Sequence, residues 1–514
     1  MNTLLILAAS AALFMLMSTL AVYSFGRFAR QARGAKSFAL PVRDGETQLD
    51  VMTSGLGAGD GGQHGLMLLA DNMRAFALRV DLARNAGRGL DLQYYYWKDD
   101  LTGGLLAREI VRAADRGVRV RLLLDDINMR DDRDHLALDR HPNIEIRLFN
   151  PSRNRAAGLR RGFELLLRIF SSTRRMHNKM WIADGRAAII GGRNIGDAYF
   201  DASDAANFRD MDLLLVGPCV TQAENIFDDF WNSAAVLPIR SLADRRVGDL
   251  DRFREKMERM MQGPSTKPYL QEIVEEHGRR PIGFGSSAFH WTGEAQVISD
   301  PPQKADGGRR ANWLVEAIFP MIMEADRAVG IIAPYFIPGV TGVRRMADLV
   351  ARGTEVTVLT NSLAATDVAA VHGAYAPYRK PLLEAGVRLY ELKPEFPRQK
   401  LTLFGSRAAS LHTKAFMIDG ESGFVGSFNF DPRSFSLNTE MGVLFTHPAL
   451  VEEMNVEFRA QLGSESSYHV VLDKGKVRWE DGAAPNLLYK EPQANWGRWL
   501  VATIIGWLPL ESQL

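Results

Sequence analysis

The sequence predicts an α/β protein made of two duplicated halves behind an N-terminal membrane anchor. Three observations support this: a strand–helix–strand pattern occurs twice, one His-x-Lys motif recurs in each half, and no charge occurs before Arg27. The 514 residues are 46% hydrophobic and 24% charged, which excludes a disordered, collagen-like or polytopic membrane protein. With 62 Lys and Arg against 61 Asp and Glu, a dedicated nucleic-acid binder is disfavoured.

The first predicted element is a membrane anchor within residues 1–36. Leu4–Phe25 is almost continuously apolar and long enough to cross a hydrocarbon core of about 30 Å. A cleaved signal peptide usually has a basic start and a shorter apolar run, whereas here the positive charges follow the run. These charges are Arg27, Arg30, Arg33 and Lys36, and they place the bulk of the protein on the cytoplasmic side.

The two halves follow from an internal repeat. Leu90–Trp97 and Val118–Leu124 are predicted strands around a helix, and Gly330–Phe336 and Glu355–Leu359 repeat the pattern. Such units form parallel sheets with right-handed crossovers. Tyr94 to Trp97 are interpreted as strand core. The predicted divisions are a first half at 37–240, a connecting segment at 241–299 and a second half at 300–490.

The last element, residues 491–514, is rich in tryptophan. Trp496, Trp499 and Trp507 flank the apolar run Leu500–Leu508, with Arg498 nearby. Such a segment can lie in a bilayer interface as an amphipathic helix, or it can dock on the body of the protein. The sequence leaves both alternatives open.

A five-residue motif occurs once in each half. Its members are His177, Lys179, Asp184, Gly191 and Asn194 in the first half, and His412, Lys414, Asp419, Gly426 and Asn429 in the second. Five fixed identities at about one in twenty each give a chance match on the order of once per several million positions. The repetition therefore indicates shared chemistry.

The spacing predicts the local geometry. His and Lys two residues apart on a strand point to one face. Asp184-Gly185 and Asp419-Gly420 suit two-residue hairpin turns, so these Asp residues are expected to shape the hairpin. The return strand then brings Asn194 or Asn429 back beside its His–Lys pair. If the halves pack about a pseudo-twofold axis, both sets converge on one site.

That convergence suits phosphodiester chemistry. Lysines and amides hold the nonbridging oxygens, one imidazole attacks phosphorus, and the other serves as general acid and base. Each imidazole needs a partner on its other nitrogen, and the candidates are Asp210 in FRDMDLLL and Glu440 in NTEMGVLF. Lys is not a usual metal ligand and no HExxH occurs, so no metal and no cofactor are expected.

The double motif resembles that of the phospholipase D superfamily, and its context is similar to the bacterial cardiolipin synthase branch, closest to the cardiolipin synthase C type. The matching stretches include VRVRLLLDD, RRMHNKM, GGRNIGDAYF, LTNSLAATDVAAVH and GSFNFDPRS followed by NTEMG. The resemblance implies two α/β halves with the active site between them, and metal-independent transphosphatidylation through a phosphohistidine. It makes the His, Lys and Asp of both motifs the catalytic positions, with His177 as nucleophile and His412 as acid/base. The near-symmetric residues alone leave that order open.

One departure separates the halves. The first motif ends Gly191-Gly192-Arg193-Asn194, so the hydroxyl of Ser427 has no counterpart at Gly192. Ser427, Asn194 and Asn429 are expected at the substrate phosphate.

The resemblance implies an enzyme of the bacterial inner membrane that makes cardiolipin from phosphatidylglycerol, with phosphatidylethanolamine as the phosphatidyl donor. A hydrolytic phospholipase D and a phosphatidylserine synthase are alternatives because they share the intermediate. A nuclease-like phosphodiesterase is disfavoured by the charge balance, and an inactive scaffold by the complete motifs.

Overall fold

The computed structural model describes residues 2–56, 62–129, 132–155, 158–168, 172–204, 206–243, 248–279, 285–307, 312–394, 409–482 and 486–507. Helices and strands are numbered in chain order within these ranges, and short 3₁₀ turns are not numbered.

The first half carries nine strands. They are β1 His64–Leu69, β2 Gly89–Tyr94, β3 Arg119–Asp125, β4 Ile144–Phe149, β5 Met180–Ala183, β6 Ala187–Gly191, β7 Asn207–Arg209, β8 Asp212–Val216 and β9 Val236–Pro238. The helices up to the end of the connecting segment are α1 Asn2–Ala32, α2 Gln48–Thr53, α3 Asn72–Asn85, α4 Leu101–Asp115, α5 Arg133–Leu138, α6 Leu159–Leu167, α7 Pro218–Trp231, α8 Leu250–Met261 and α9 Thr266–Arg279.

The remaining strands are β10 His290–Thr292, β11 Ala295–Ser299, β12 Ala328–Ile332, β13 Glu355–Asn361, β14 Arg388–Leu392, β15 Ala409–Leu411, β16 Ala415–Ile418, β17 Ser422–Gly426, β18 Met441–Thr446, β19 Ser467–Asp473, β20 Lys476–Asp481 and β21 Asn486–Leu488. The remaining helices are α10 Leu314–Met323, α11 Gly339–Ala351, α12 Ala369–Tyr375, α13 Arg379–Glu384, α14 Pro432–Ser436, α15 Pro448–Leu462 and α16 Trp496–Trp507.

Each half forms one mixed sheet, and the repeat predicted from the sequence is confirmed. The first sheet has the order β10-β1-β8-β6-β5-β2-β3-β4-β9, and the second has β11-β18-β17-β16-β12-β13-β14-β19-β20-β21. In both, three consecutive parallel strands (β2-β3-β4 and β12-β13-β14) border an antiparallel hairpin (β5-β6 and β16-β17). The parallel strands alternate with helices because parallel neighbours need a crossover connection.

The connecting segment takes part in both sheets. Its strand β10 pairs with β1, and its strand β11 pairs with β18. The chain between the two motif-bearing halves therefore adds an edge strand to each of them, although sequence alone suggested only a connection.

An apolar layer joins the halves. Ile190 and Leu213 of the first sheet and Val425 and Val443 of the second are fully buried in one cluster. A short parallel pair, β7 with β15, also crosses between the halves and aligns Arg209 with Leu411. Fixed packing of this kind holds the two motif hairpins at a defined separation.

Helix α1 is the one described helix that is long and apolar enough to cross a membrane. The residues after it lie directly against the first half. Arg147 and Arg121 donate to the carbonyls of Ala35 and Ser37 at 2.6 and 3.0 Å, and Trp231 donates to the Ser37 hydroxyl at 2.8 Å. In this described stretch, the residues that follow α1 are therefore held against the first half by hydrogen bonds.

Of the two alternatives that the sequence left open for the C-terminal helix, the structure shows docking on the body of the protein. One face of α16 docks on α12 so closely that a Cβ on Gly373 would lie 2.3 Å from the Ala502 carbonyl. Arg498 donates to the carbonyls of Leu363 and Thr366. The other face carries exposed Trp496, at 80% accessibility, and Trp499. Contact of that face with a bilayer stays a prediction.

Candidate active site

The two motif hairpins form as the spacing predicts. Asp184 and Asp419 have φ of 56° and 55°, and the following glycines have φ of 67° and 71°, as a type I′ turn requires. Asp184 accepts backbone hydrogen bonds from Gly87, Arg88 and Gly89. Asp419 accepts the equivalent bonds from residues 326–328. Both carboxylates thus tie the hairpin to the start of the neighbouring parallel strand, at the sheet end opposite the histidines.

The motif glycines are explained by strand spacing. A Cβ on Gly191 would lie 2.5 Å from the Met211 carbonyl oxygen, and one on Gly426 would lie 2.3 Å from that of Met441. Because these contacts are to backbone, no side chain can be accommodated without moving a strand. The glycines therefore allow β8 and β18 to approach the return strands of the hairpins.

Each histidine binds a carboxylate from the opposite half. Nδ1 of His177 lies 2.8 Å from Oε2 of Glu440, and Nδ1 of His412 lies 2.6 Å from Oδ2 of Asp210. With Nδ1 engaged, Nε2 is the ring atom left for the substrate. The structure thus brings together the two candidate carboxylates and the two histidines, in a crossed arrangement.

Backbone contacts across the interface produce this crossing. The His177 amide donates to the Thr439 carbonyl at 2.9 Å, directly before Glu440. The His412 amide donates to the Arg209 carbonyl at 2.8 Å, directly before Asp210. The same pseudo-symmetric contact therefore fixes each histidine beside the other half's carboxylate.

Each His–Lys pair lies directly before a strand, β5 or β16, and the lysine side chain bonds to the backbone of its histidine. Lys179 Nζ donates to the His177 carbonyl at 2.6 Å, and Lys414 Nζ donates to the His412 carbonyl. Both lysines are 1% exposed. Burial lowers the pKa of Lys414 to about 8 and holds the pKa of Lys179 well below its usual range. An anionic substrate would offset this cost by supplying the missing countercharge.

The pKa values of the two histidines are lowered to different extents. Burial, followed by the charges of Lys179 and Lys414, holds the pKa of His177 well below its usual range. The pKa of His412 is also lowered, chiefly by burial, but the Asp210 carboxylate opposes that effect. Burial raises the pKa of Glu440 to about 7, so the partner of His177 carries less negative charge.

The surroundings of Glu440 and Asp210 differ, and this difference explains why Ser427 in the second half corresponds to Gly192 in the first. Ser427 Oγ donates to Glu440 Oε2 at 2.6 Å, and Ser434 Oγ donates to Oε1 at 2.8 Å. In the first half, a Cβ on Gly192 would lie 2.2 Å from Asp210 Oδ1. The shorter aspartate therefore occupies the space that a serine side chain would need.

This geometry corrects one expected role. Ser427 was expected at the substrate phosphate, but its hydroxyl is fully buried and bonded to Glu440. Asn194 donates at 3.0 Å to the hydroxyl of Tyr199, whose ring lies against His412. The amide oxygens of Asn194 and Asn429 are both buried without a hydrogen-bond partner among the described residues. Unpaired buried amides are uncommon and suit a ligand-binding role, which stays a prediction for both.

Aromatic rings that the sequence did not single out as site residues line the histidines. Tyr95 lies edge-on to His177 and Tyr199 edge-on to His412, each with ring centroids 5.1 Å apart. Phe208 lies 5.0 Å from His412. Interpretation of Tyr95 as strand core is wrong, because β2 ends at Tyr94 and the next ring turns toward the site. The sequence feature that could have identified Tyr95 is its position at the carboxyl end of a parallel strand.

One further cluster of ionisable side chains has metal-like spacing within the described residues: His372, Glu391 and Glu491. The Arg379 guanidinium already fills it, donating to Glu391 at 2.7 Å and to Glu491 at 2.5 Å and contacting His372. The cluster is therefore an ion-pair network that also holds the segment before α16.

Comparisons with known proteins agree with this geometry. Residues 80–231 and 318–462 match the family model described as "Cardiolipin synthase, PLD-like domain". The chain is 39% identical over 460 residues to cardiolipin synthase C of Escherichia coli K12, covering 88% of this chain and 96% of that protein. It is 26% identical over 413 residues to a cardiolipin synthase of Geobacillus thermodenitrificans, covering 77% and 68% of the two chains.

A crystal structure of phosphatidylserine synthase from Haemophilus influenzae shares the fold. It superposes with a TM-score of 0.54 at 16% identity and covers 78% of this chain and 86% of that one. That likeness concerns architecture alone, whereas the matched family model includes both motif-bearing halves and the identity to the Escherichia coli protein extends over nearly its whole length. The chain therefore belongs to the cardiolipin synthase family of phospholipase D superfamily enzymes.

Proposed function

We propose that this protein is a membrane-bound phospholipid transphosphatidylase that synthesises cardiolipin, with phosphatidylglycerol as acceptor and phosphatidylethanolamine as donor. The observation that carries the proposal is the crossed pairing of His177 with Glu440 and His412 with Asp210, beside two buried lysines. Two oriented imidazoles and two cations in one site suit a two-step displacement at a phosphodiester.

In the first step, Nε2 of His177 attacks the phosphorus of the donor lipid. The phosphorus–oxygen bond to ethanolamine breaks as His412 donates a proton to the leaving oxygen. This leaves a phosphatidyl group on His177 and a neutral His412. Lys179 and Lys414 stabilise the charge that develops on the nonbridging oxygens.

In the second step, His412 accepts the proton of a phosphatidylglycerol hydroxyl as that oxygen attacks phosphorus. The phosphorus–nitrogen bond breaks, cardiolipin is released, and both histidines return to their starting states. The same residue thus acts as acid and then as base, as reversal of the chemistry requires.

The electrostatic difference between the histidines supports His177 as nucleophile. A nucleophilic imidazole must be unprotonated, and the pKa of His177 is held well below its usual range by burial and the lysines. A general acid must carry a proton, and the Asp210 carboxylate raises the pKa of His412 against the effect of burial.

Enclosure of the site supports transfer over hydrolysis. His177 is 9% exposed and His412 is 7% exposed, so little water can reach a phosphatidyl group on His177. A lipid hydroxyl held at the membrane surface would meet the intermediate at high effective concentration.

The orientation in the membrane is part of the proposal. Arg27, Arg30 and Arg33 follow the apolar part of α1, so the catalytic halves are assigned to the cytoplasmic face of the inner membrane. A cytoplasmic reporter fused after Leu514 should be active and a periplasmic one silent. The reverse result would reject this orientation.

The deciding experiment supplies purified full-length protein in mixed micelles with phosphatidylglycerol alone and then with labelled phosphatidylethanolamine added. We expect most label in cardiolipin and little in phosphatidic acid. Dominant phosphatidic acid despite abundant acceptor would instead identify a phospholipase. Cardiolipin formed equally well without phosphatidylethanolamine would reject that donor.

A further inference from the structure

Helix α6 presents its apolar side to the outside of the protein. Leu159, Phe163 and Leu166 are 93%, 56% and 51% exposed. They fall on one stripe because residues three and four apart are neighbours on a helix. A helix on the surface of a globular protein normally shows the reverse arrangement, with its apolar stripe facing the core.

The polar side of α6 faces the protein and is firmly bonded there. Arg161 donates to the carbonyls of Met129 and Asp126 at 2.6 and 2.9 Å. Glu164 accepts from the amides of Arg153 and Asn154 at 2.8 and 2.9 Å. Because these bonds fix the rotation of the helix, turning the leucines inward would break all of them.

The same helix packs against the membrane-length helix α1. Ser18 Oγ donates to the Leu167 carbonyl at 2.6 Å. The Arg168 guanidinium lies 3.5 Å from the ring centroid of Phe25, and that of Arg153 lies 4.8 Å from Phe28. Helix α6 is thus continuous with the surface of α1 rather than remote from it.

The contacts of α6 with α1 extend from Ser18 to Phe25, which lies just before Arg27, the first charged residue of the chain. If Arg27 lies at the lipid headgroups, the end of α6 lies at the bilayer surface beside the part of α1 that enters it. The segment after α1 is bonded to Arg121 and Arg147, so the first half cannot move away on a loose tether.

We propose that α6 is a second membrane element, embedded in the interfacial layer of the bilayer that α1 enters, with Leu159, Phe163 and Leu166 among the acyl chains. The inference rests on the proposed function for its substrate, and it extends that function by assigning the path of the lipid. From the end of α6 the chain reaches His177 through Arg175, which contacts Asp125, and Met176, whose amide donates to Asp125 at 2.8 Å. In this proposal α6 is a lip, the edge of the protein over which a phospholipid passes from the bilayer to His177.

Site-directed spin labelling tests the placement directly. Cys219 is the one cysteine of the chain and is buried, so a cysteine introduced at the surface can be labelled selectively. L159C, F163C and L166C should each give a nitroxide that is relaxed by oxygen, which partitions into lipid, and protected from a water-soluble nickel chelate. The matched control is K474C, on the exposed turn between β19 and β20 at the sheet end remote from the site, which should show the opposite pattern.

The proteoliposomes for this measurement should contain phosphatidylethanolamine and phosphatidylglycerol and the full-length chain. Nickel-accessible labels on α6 would overturn the proposal, since the helix would then face water. Labels inaccessible to both reagents would also overturn it, because they would indicate a protein partner on this face. Neither readout depends on catalysis, so failure of the proposed enzyme activity would leave this result interpretable.

A kinetic arm tests the role as a lip. Phe163→Glu should lower transfer from bilayer phosphatidylethanolamine at least tenfold and leave cleavage of a soluble phosphodiester unchanged. Val456→Glu on α15 is the control, since Val456 is 53% exposed and should tolerate the same change without effect. Equal loss on both substrates would show damage to the site rather than to lipid access, and an unchanged bilayer rate would reject the lip.

Discussion

The two halves of the active site share one backbone plan and differ in how they hold their carboxylates. In the first half, the short side chain of Asp210 occupies the space beside Gly192 and accepts from the Met211 amide at 2.8 Å. In the second half, the longer Glu440 receives the hydroxyls of Ser427 and Ser434. Because each carboxylate serves the opposite histidine, this difference gives His177 and His412 unequal environments within a symmetric frame.

Duplication supplies the geometry of both halves, and in the proposed mechanism small side-chain differences assign different roles to the two histidines. Asp210 opposes the effect of burial on the pKa of His412, whereas burial raises the pKa of Glu440, the partner of His177, to about 7. The following predictions test the comparison, starting from the largest expected effect.

Removing either histidine should abolish transfer. His177→Ala and His412→Ala should each lower turnover by about 10⁴-fold or more, and the double variant should be no worse because the residues act as a unit. Turnover of labelled donor in mixed micelles checks this, with thermal melting as the control for folding. Near wild-type turnover in either single variant would contradict a shared site.

Trapping distinguishes the two histidines. His412→Asn should still accumulate acid-labile phosphatidyl label on the protein when the donor has a good leaving group. His177→Asn should accumulate none. Label on the second variant alone would reverse the assigned roles.

Neutralising the carboxylates should have the next largest effect. Asp210→Asn and Glu440→Gln should each lower kcat/KM on the order of 100-fold, the lower end for loss of acid–base function. A p-nitrophenyl leaving group needs no proton, so it should restore cleavage to Asp210→Asn and not to Glu440→Gln. Equal rescue of both would show that the halves are not divided into acid and nucleophile.

Replacing Gly192 by serine and Ser427 by glycine should lower kcat/KM to different extents. Gly192→Ser forces a side chain against Asp210, whose carboxylate is already bonded to His412, and should lower kcat/KM at least about tenfold. Ser427→Gly removes one of two hydroxyls from Glu440 and should cost only about three- to tenfold. Comparable losses would mean that steric fit around Asp210 is unimportant.

The pH profile reports the lysine of the second half. Loss of its proton removes positive charge from the site, so kcat/KM should fall as pH rises past the Lys414 pKa of about 8. The acidic limb reports protonation of the nucleophile His177 and should lie below the usual imidazole range, because burial and the two lysines hold the pKa of His177 well below that range. Lys414→Arg keeps its charge and should remove the decline near pH 8, whereas a decline caused by loss of the His412 proton should remain. Persistence of the decline near pH 8 would assign it to another group.

The hairpin aspartates should affect stability far more than chemistry. Asp184→Ala removes the acceptor of three part-buried backbone amides and should lower the free energy of unfolding by about 2 kcal/mol. Asp419 is more exposed, and its replacement should cost about 1 kcal/mol. Denaturant unfolding measures both, and a large loss of kcat with unchanged stability would give these residues a direct catalytic role.

Asp419 also makes a pH-dependent contribution. Backbone hydrogen bonds from residues 326–328 lower its pKa below the ordinary 3.8 against the effect of burial. A depressed folded-state pKa stabilises the protein above pH 3.8 and that stabilisation is lost as pH falls through the folded value. The difference in stability between wild type and Asp419→Asn should therefore shrink in acid.

Sequence alone determined the local features of this protein. The duplicated strand–helix–strand units, the Asp-Gly hairpins and the membrane-length apolar helix follow from patterns a few residues to a few turns long. The two His-x-Lys motifs also predicted phosphodiester chemistry, because that prediction depends only on residue types and their spacing in the sequence.

Only the tertiary structure decided which residues meet. The crossing of His177 to Glu440 and His412 to Asp210 depends on the packing of two sheets, since the partners are hundreds of positions apart. The reassignment of Ser427 to Glu440, the turn of Tyr95 toward His177 and the outward leucines of α6 arise in the same way. Periodicity gives a side chain's face on its own element, whereas its neighbours are set by which elements pack against that face.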